Sequence, residues 1–228
     1  MTTVLVTGAN RGIGLALARQ FLRNGDRVLA CCRKPSDAQA LMALSADPGL
    51  SVHPLEVRSQ DSVDELARSL SDVAIDVVLN NAGTMGGGGQ TLDDMDYDAW
   101  IDAFNVNTLA PFRVISALLP NLRRSSNPRV VTLSSQMGSL ARKSTGSHAY
   151  RSSKAAVNKV MQVLALELES DGIVVCPVHP GWVRTDMGGD SADISAEESA
   201  AGIVKLIAGL GMEHSGRFWT WQGEEHPW

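Results

Sequence analysis

The first fourteen residues restrict this chain more than any other stretch. Thr3-Val4-Leu5-Val6 is a short apolar, β-branched run that ends in Thr7-Gly8. Gly12-Ile13-Gly14 then leads into Leu15, Ala16, Leu17, Phe21 and Leu22, an apolar set at helical spacing. Glycines permit the tight turn between strand and helix and keep Cβ atoms out of the way. The first turn of such a helix carries N–H groups with no partner inside the helix, at the positive end of its dipole. The corner Gly8-Ala9-Asn10-Arg11-Gly12-Ile13-Gly14 therefore suits a pyrophosphate.

The rest of the chain repeats the strand-then-helix theme. Strands are expected at Arg27–Cys32, Ser51–Leu55, Ile75–Asn80, Arg129–Ser134, Ile173–Val178 and Gly216–Thr220. Helices are expected at Ser62–Leu70, at Tyr97–Leu122 with a break at Pro111, at Tyr150–Leu168, and at Ala196–Ala208 behind a Ser195/Glu198 capping box. Regular β-α alternation implies a doubly wound, mainly parallel sheet of seven strands with helices on both faces, an α/β fold. At 228 residues the chain fits a single domain spanning 1–228. Ligands of such sheets sit beyond the carboxyl ends of the strands, where strand order reverses. Gly8–Gly14, Asn80–Gly83, Ser134-Ser135 and Pro180-Gly181 all follow strands and should converge there. Gly86-Gly87-Gly88-Gly89 reads as a flexible loop.

Tyr150 and Lys154 are four apart, so a helix places them on one face. A phenol with a pKa of about 10 is a sluggish acid near neutrality, and an adjacent ammonium would lower that value. Alone, the pair is weak evidence, and a packed ring beside a solvated lysine is the better reading of it. In the order Thr-Gly-x-x-x-Gly-x-Gly, Asn80-Asn81-Ala82-Gly83, Asn107, Ser135, Tyr150 with Lys154, and Pro180-Gly181 followed by Thr185, the chain resembles the classical short-chain dehydrogenase/reductase family. Phe104–Asn107, His179–Gly189 and the ending Pro227-Trp228 are similar to sniffer-type carbonyl reductases and bacterial C-factor-like proteins.

The resemblance implies a Rossmann fold and a catalytic set of Asn107, Ser135, Tyr150 and Lys154. Ser135, at the head of Ser-x-x-Gly, would polarise a substrate carbonyl; Ser134 is its rival. Tyr150 would supply the proton. Lys154 would bind the nicotinamide ribose and hold the phenol's pKa down. Asn107 would kink its helix and hold a water that relays protons towards Lys154. Cofactor contacts are implied at Gly8, Asn10, Arg11, Gly12, Ile13, Gly14, Glu56, Val57, Asn81, Ala82, Gly83, Pro180, Gly181, Val183 and Thr185. Glu56 stands where the family has an aspartate. Gln136, Met137, Trp182 and Met187 are candidates for the substrate-pocket lining, the last three reading equally well as core, and the short stretch between Thr185 and Ser195 points to a small, uncharged pocket. The helices Asp98–Leu122 and Tyr150–Leu168 would pair across a two-fold, giving a homodimer or homotetramer.

The cofactor's phosphate pattern is readable from charge. Arg33 and Lys34 follow the second strand, where NAD-specific sites carry an acid for the ribose 2′-hydroxyl. A guanidinium suits a 2′-phosphate, so NADPH/NADP+ is expected rather than NADH. The resemblance adds Arg11 near that phosphate. A net charge of −5 without a basic, aromatic-rich run gives no reason to expect nucleic acid. No run of ~18 apolar residues suggests a membrane span. Cys31, Cys32 and Cys176 have neither metal-ligand nor disulfide spacing, so no metal and a reducing, cytoplasmic setting are expected. His148 and His179 read as structural, and Trp219, Trp221 and Trp228 as burying the tail against the domain or a neighbouring subunit. The expected chemistry is NADPH-dependent reduction of a small carbonyl compound, or oxidation of the alcohol. The alternative is a nucleotide-binding signalling or scaffold protein of the C-factor-like type.

Overall fold

The computed structural model describes residues 1–228. Its strands are β1 Thr3–Thr7, β2 Arg27–Cys32, β3 Leu50–Pro54, β4 Val77–Asn80, β5 Arg129–Leu133, β6 Val174–His179 and β7 Trp219–Thr220. The helices are α1 Gly12–Arg23, α2 Gln39–Met42, α3 Gln60–Ser69, α4 Tyr97–Phe104, α5 Ala110–Leu122, α6 His148–Glu167 and α7 Ala196–Gly209. The strands form one seven-stranded sheet in the order β3-β2-β1-β4-β5-β6-β7, and every pairing is parallel. Strand order reverses between β1 and β4.

Both faces of the sheet are covered, which is why its strands read as continuous apolar runs. Val4 and Val6 of β1 pack with Leu17 and Phe21 of α1 and Ile203 of α7. Leu5, pointing the other way, packs with Ile115 and Leu118 of α5 and Met161 of α6. Cys31 and Cys32 fall into these opposite cores, as adjacent strand residues must. All three cysteines are buried thiols. None of the helices is long and apolar enough to cross a membrane.

Three expectations need correction. The helix from Tyr97 to Leu122 does not break at Pro111. Its distortion is a wide turn at Asn105–Leu109, where the Ala110 N–H donates to the Asn105 carbonyl five residues back. Pro111 has no N–H for the Asn107 carbonyl, and this turn absorbs the missing bond without ending the helix. The last strand is only Trp219–Thr220, because Gly216 turns at φ 75° and its N–H bonds back to Val175. The Gly86–Gly89 run is open only in part: Gly86 is buried, while Gly88 is exposed with nothing within 4 Å of an added Cβ. A Cβ on Gly86 would stand 2.9 Å from Ala103 Cβ, and one on Gly87 2.7 Å from Ala99 Cβ. The tail folds onto the domain itself: Trp221 covers Gly181 and Gly202, and the Trp228 carbonyl accepts from the Ala141 N–H at 3.0 Å. The Ser195/Glu198 capping box forms as expected.

Candidate active site

Gly8 and Gly12 adopt φ of 67° and 53°, and a Cβ on Gly14 would lie 2.3 Å from the Gly8 carbonyl oxygen. The turn is bolted to the end of β4. Asn81 Nδ2 donates to the carbonyls of Thr7 (2.8 Å) and Gly8 (3.1 Å). Thr7 Oγ1 accepts from the N–H groups of Asn81 (3.0 Å) and Ala82 (3.1 Å). Arg11 at the head of α1 supplies no side-chain cap, and the first turn holds no acid. Its leading N–H groups are therefore available to an anion, which is the fit a pyrophosphate requires. Thr185 arrives from the far end of the chain, with Cγ2 3.2 Å from where a Gly12 Cβ would be. Pro180 is fixed by the Ser199 hydroxyl (2.6 Å), Gly181 turns at φ 91°, and Val183 is buried where it bridges to Ile194.

At the end of β2, Arg33 is exposed and unpaired, whereas Lys34 stands 4.0 Å from Asp37. Arg11 departs from expectation: its guanidinium pairs with Asp186 at 2.5 Å. Both side chains are exposed, so this pair is worth at most about 1 kcal/mol and yields to a competing anion. Glu56 is held by Arg58 through two bonds of 3.0 and 3.1 Å, and Arg58 also reaches Asp102. The Arg58 guanidinium holds the Glu56 carboxyl below the usual carboxylate range. Buried Val57 is fixed through its carbonyl by Arg113 (2.8 Å).

The two serines after β5 separate cleanly. Ser134 is turned into the protein, where its hydroxyl donates to Asn158 Oδ1 at 2.5 Å. Ser135 instead caps the turn Gln136–Gly138, accepting from the Met137 N–H at 3.1 Å, and its hydroxyl lies beside the Tyr150 phenol. Lys154 lies on the same face of α6 as Tyr150, its Nζ 5.8 Å from the ring centroid. Nζ donates to the Leu133 carbonyl at 2.7 Å. Gly83 closes this corner, since a Cβ there would stand 3.7 Å from Lys154 Nζ and 3.2 Å from Asn107 Oδ1.

The electrostatics reverse one expectation. Burial pushes the Tyr150 phenol above its ordinary value, and the Ser135 hydroxyl offsets only part of that. Burial acts on its neighbour as well, driving the Lys154 ammonium down to about 8. Tyr150 is thus a neutral phenol with a proton to give. Asn107 is also more occupied than expected. Its amide accepts from the Thr84 N–H (2.9 Å) and donates to the Thr84 carbonyl (2.9 Å) and Ser153 Oγ (3.0 Å). The side chain fixes a loop and a helix; the helix distortion expected around it is the wide turn itself.

On the substrate side, Gln136 is bonded to Arg142, so a cation stands at a rim expected to be uncharged. Trp182 and Met187 are about half exposed, and Trp182 Nε1 donates to the Gly188 carbonyl at 2.9 Å. Met137 is half-buried beside Ser135. His179 is a buried packing residue held down to about 4 by burial, by His226 and by Arg142. Sequence reasoning missed Thr7 as the bolt of the glycine turn, and Ser153 and Gln90 as partners of Asn107 and Tyr150. Thr7 was visible as the strand-end hydroxyl before the glycine turn only in outline; nothing local marks the other two.

A short chain dehydrogenase model matches residues 2–195. The chain belongs to the short-chain dehydrogenase family. It is 46% identical over 155 residues to the C-signal of Myxococcus xanthus, covering 68% of this chain and 93% of that one. Among solved structures, the NADPH-bound carbonyl reductase from chicken fatty liver superposes with a TM-score of 0.94 at 33% identity, covering 100% of this chain and 99% of that one. The carbonyl reductase Sniffer of D. melanogaster superposes at 0.95 with 28% identity, and both chains are covered completely. The resemblance to sniffer-type reductases and C-factor-like proteins therefore holds for this short-chain dehydrogenase.

Proposed function

We propose that this short-chain dehydrogenase is an NADPH-dependent oxidoreductase that reduces a small aldehyde or ketone to its alcohol, with Tyr150 as general acid. The observation that carries the reading is the buried trio of Ser135, neutral Tyr150 and Lys154, set against Gly83 at the mouth of the glycine turn. NADPH, when bound, supplies the hydride. The open N-terminus of α1 holds its pyrophosphate, and exposed Arg33, joined by Arg11 once it leaves Asp186, grips the 2′-phosphate. The Ser135 hydroxyl donates to the substrate carbonyl oxygen and favours the charge that develops there. The Tyr150 O–H transfers its proton to that oxygen. Lys154, still largely charged at neutral pH, leaves the Leu133 carbonyl to bind the ribose and then steadies the phenolate left behind.

Asn107 and the glycine turn hold these groups in register. Exposed Tyr97 and Ile101 on α4, Leu109 in the wide turn and Phe112 on α5, with Leu166 on α6, support a two-fold dimer through these helices. A second reading, a signalling protein with little turnover, is favoured by the likeness to the C-signal. Loss of reduced-nicotinamide absorbance over a panel of aldehydes, ketones and quinones decides between them, with Tyr150→Phe alongside. NADPH-driven turnover that the substitution abolishes supports the reductase. Tight NADPH binding with no turnover supports the signalling reading.

A further inference from the structure

Helix α6 begins without a cap of its own. Ser147 precedes it at φ 53° and offers no side-chain bond, so the first-turn N–H groups need partners from elsewhere. One of them belongs to Tyr150. Its partner is Gln90, a residue 60 positions away and only 8% exposed, whose Oε1 accepts from the Tyr150 N–H at 3.2 Å. The other end of the same amide donates twice, to the carbonyls of Met85 (2.7 Å) and Gly87 (3.0 Å).

Those two carbonyls lie in the segment that leaves the Asn81-Ala82-Gly83 turn. The segment cannot slide. Asn107 grips Thr84 at both its N–H and its carbonyl. Gly86 and Gly87 adopt φ of 81° and 83°, so close to α4 and α6 that an added Cβ would meet Ala103 and Ala149 from the first and Ala99 from the second. A single amide therefore ties the turn beside Lys154 to the backbone of the proposed acid.

We propose that Gln90 is a positioning residue for the reaction: it holds the first turn of α6 so that the Tyr150 phenol stays beside Ser135 and in reach of a substrate carbonyl. This rests on Tyr150 being the proton donor. Gln90 itself is bonded only to backbone groups of the protein and acts through Tyr150. A misplacement of ~1 Å at a reacting group can cost about a hundredfold in rate, so the effect should fall on kcat rather than on cofactor affinity.

The test is a cycle of Gln90→Leu and Tyr150→Phe in the full chain. Gln90→Leu is expected to lower kcat by roughly ten- to a hundredfold while the KM for NADPH moves less than about threefold. Added to Tyr150→Phe, the same change should have almost no further effect, since the residue it positions is already disabled. Equal losses in both backgrounds, or a fall in NADPH affinity as large as the fall in kcat, would overturn the proposal.

A second arm needs no turnover. The chain has two tyrosines, so in a Tyr97→Phe background an alkaline absorbance titration reads Tyr150 alone. Gln90→Leu should bring its midpoint down towards the ~10 of a free phenol as water reaches the ring; an unchanged midpoint would overturn the proposal. If no carbonyl is reduced even by the unsubstituted protein, the reductase reading fails while the titration still decides the role of Gln90. Should Gln90→Leu not fold, Gln90→Met keeps the length of the side chain while removing its acceptor and both donors. It should lower the midpoint as Gln90→Leu does, and a midpoint that stays elevated would count against the proposal.

Discussion

Replacing Lys154 by Met should stabilise the cofactor-free protein near neutral pH while destroying turnover. Burial lowers the Lys154 ammonium from its ordinary 10.5 to about 8, its one side-chain bond being to the Leu133 carbonyl at 2.7 Å. Each tenfold loss in proton affinity is ~1.4 kcal/mol, so the charged side chain costs the fold about 3 kcal/mol. The Leu133 carbonyl left without its donor returns ~1 kcal/mol of that in the variant. The sign with pH follows from proton binding. Below pH 8 both folded and unfolded chains carry the charge, and the cost is constant. Between pH 8 and 10.5 the unfolded chain binds more protons than the folded one, so the unsubstituted protein gains stability as pH rises. Urea unfolding of both proteins at pH 7, 9 and 10 measures this difference directly. Lys154→Met should lead by about 2 kcal/mol at pH 7, and that lead should shrink as pH approaches 10. A difference that does not change with pH would refute the assignment of a buried, strained charge at this position.

Two further outcomes follow from the cofactor corner. Arg33→Ser removes a charge-assisted bidentate partner of the 2′-phosphate, so NADPH affinity should fall by roughly 10- to 100-fold with NADH affinity nearly unchanged, as fluorescence titration with each nucleotide will read. Gly14→Ala places a methyl 2.3 Å from the Gly8 carbonyl oxygen and 2.5 Å from Asn81 Nδ2. The turn and its bolt to β4 must then open; nucleotide binding should be lost and the thermal midpoint should drop, as a melt with and without NADPH will show.

What was legible in the sequence was what depends on neighbours along the chain. The glycine turn could be read because the need for glycine at Gly8, Gly12 and Gly14 is a local steric one. The pairing of Tyr150 with Lys154 follows from helical spacing, and the opposite burial of Cys31 and Cys32 from strand alternation. Ser135 was separable from Ser134 by the motif it heads, and the structure shows the physical difference in the bond Ser134 makes to Asn158. What could not be read depends on depth or on distant contacts. Spacing puts a cation near Tyr150 but gives no measure of burial, and burial decided the direction of both titrations. Proline marked the distortion of the α4–α5 helix in the wrong place, because a wide turn upstream made room for it. Gln90 looks like any loop amide until the fold brings it to the start of α6.

The central claim is that a hydride passes from NADPH to a carbonyl carbon while Tyr150 protonates the oxygen. The most direct measurement is a single-turnover reaction with NADPH deuterated at the transferable C4 position, followed by mass analysis of the product alcohol. The account predicts one deuterium on the carbinol carbon with the unsubstituted protein, and a rate reduced by at least about a hundredfold with Tyr150→Phe. Deuterium transfer at an undiminished rate in Tyr150→Phe would contradict the role given to the phenol. Bound NADPH that never delivers its deuterium to any carbonyl would contradict the reductase itself.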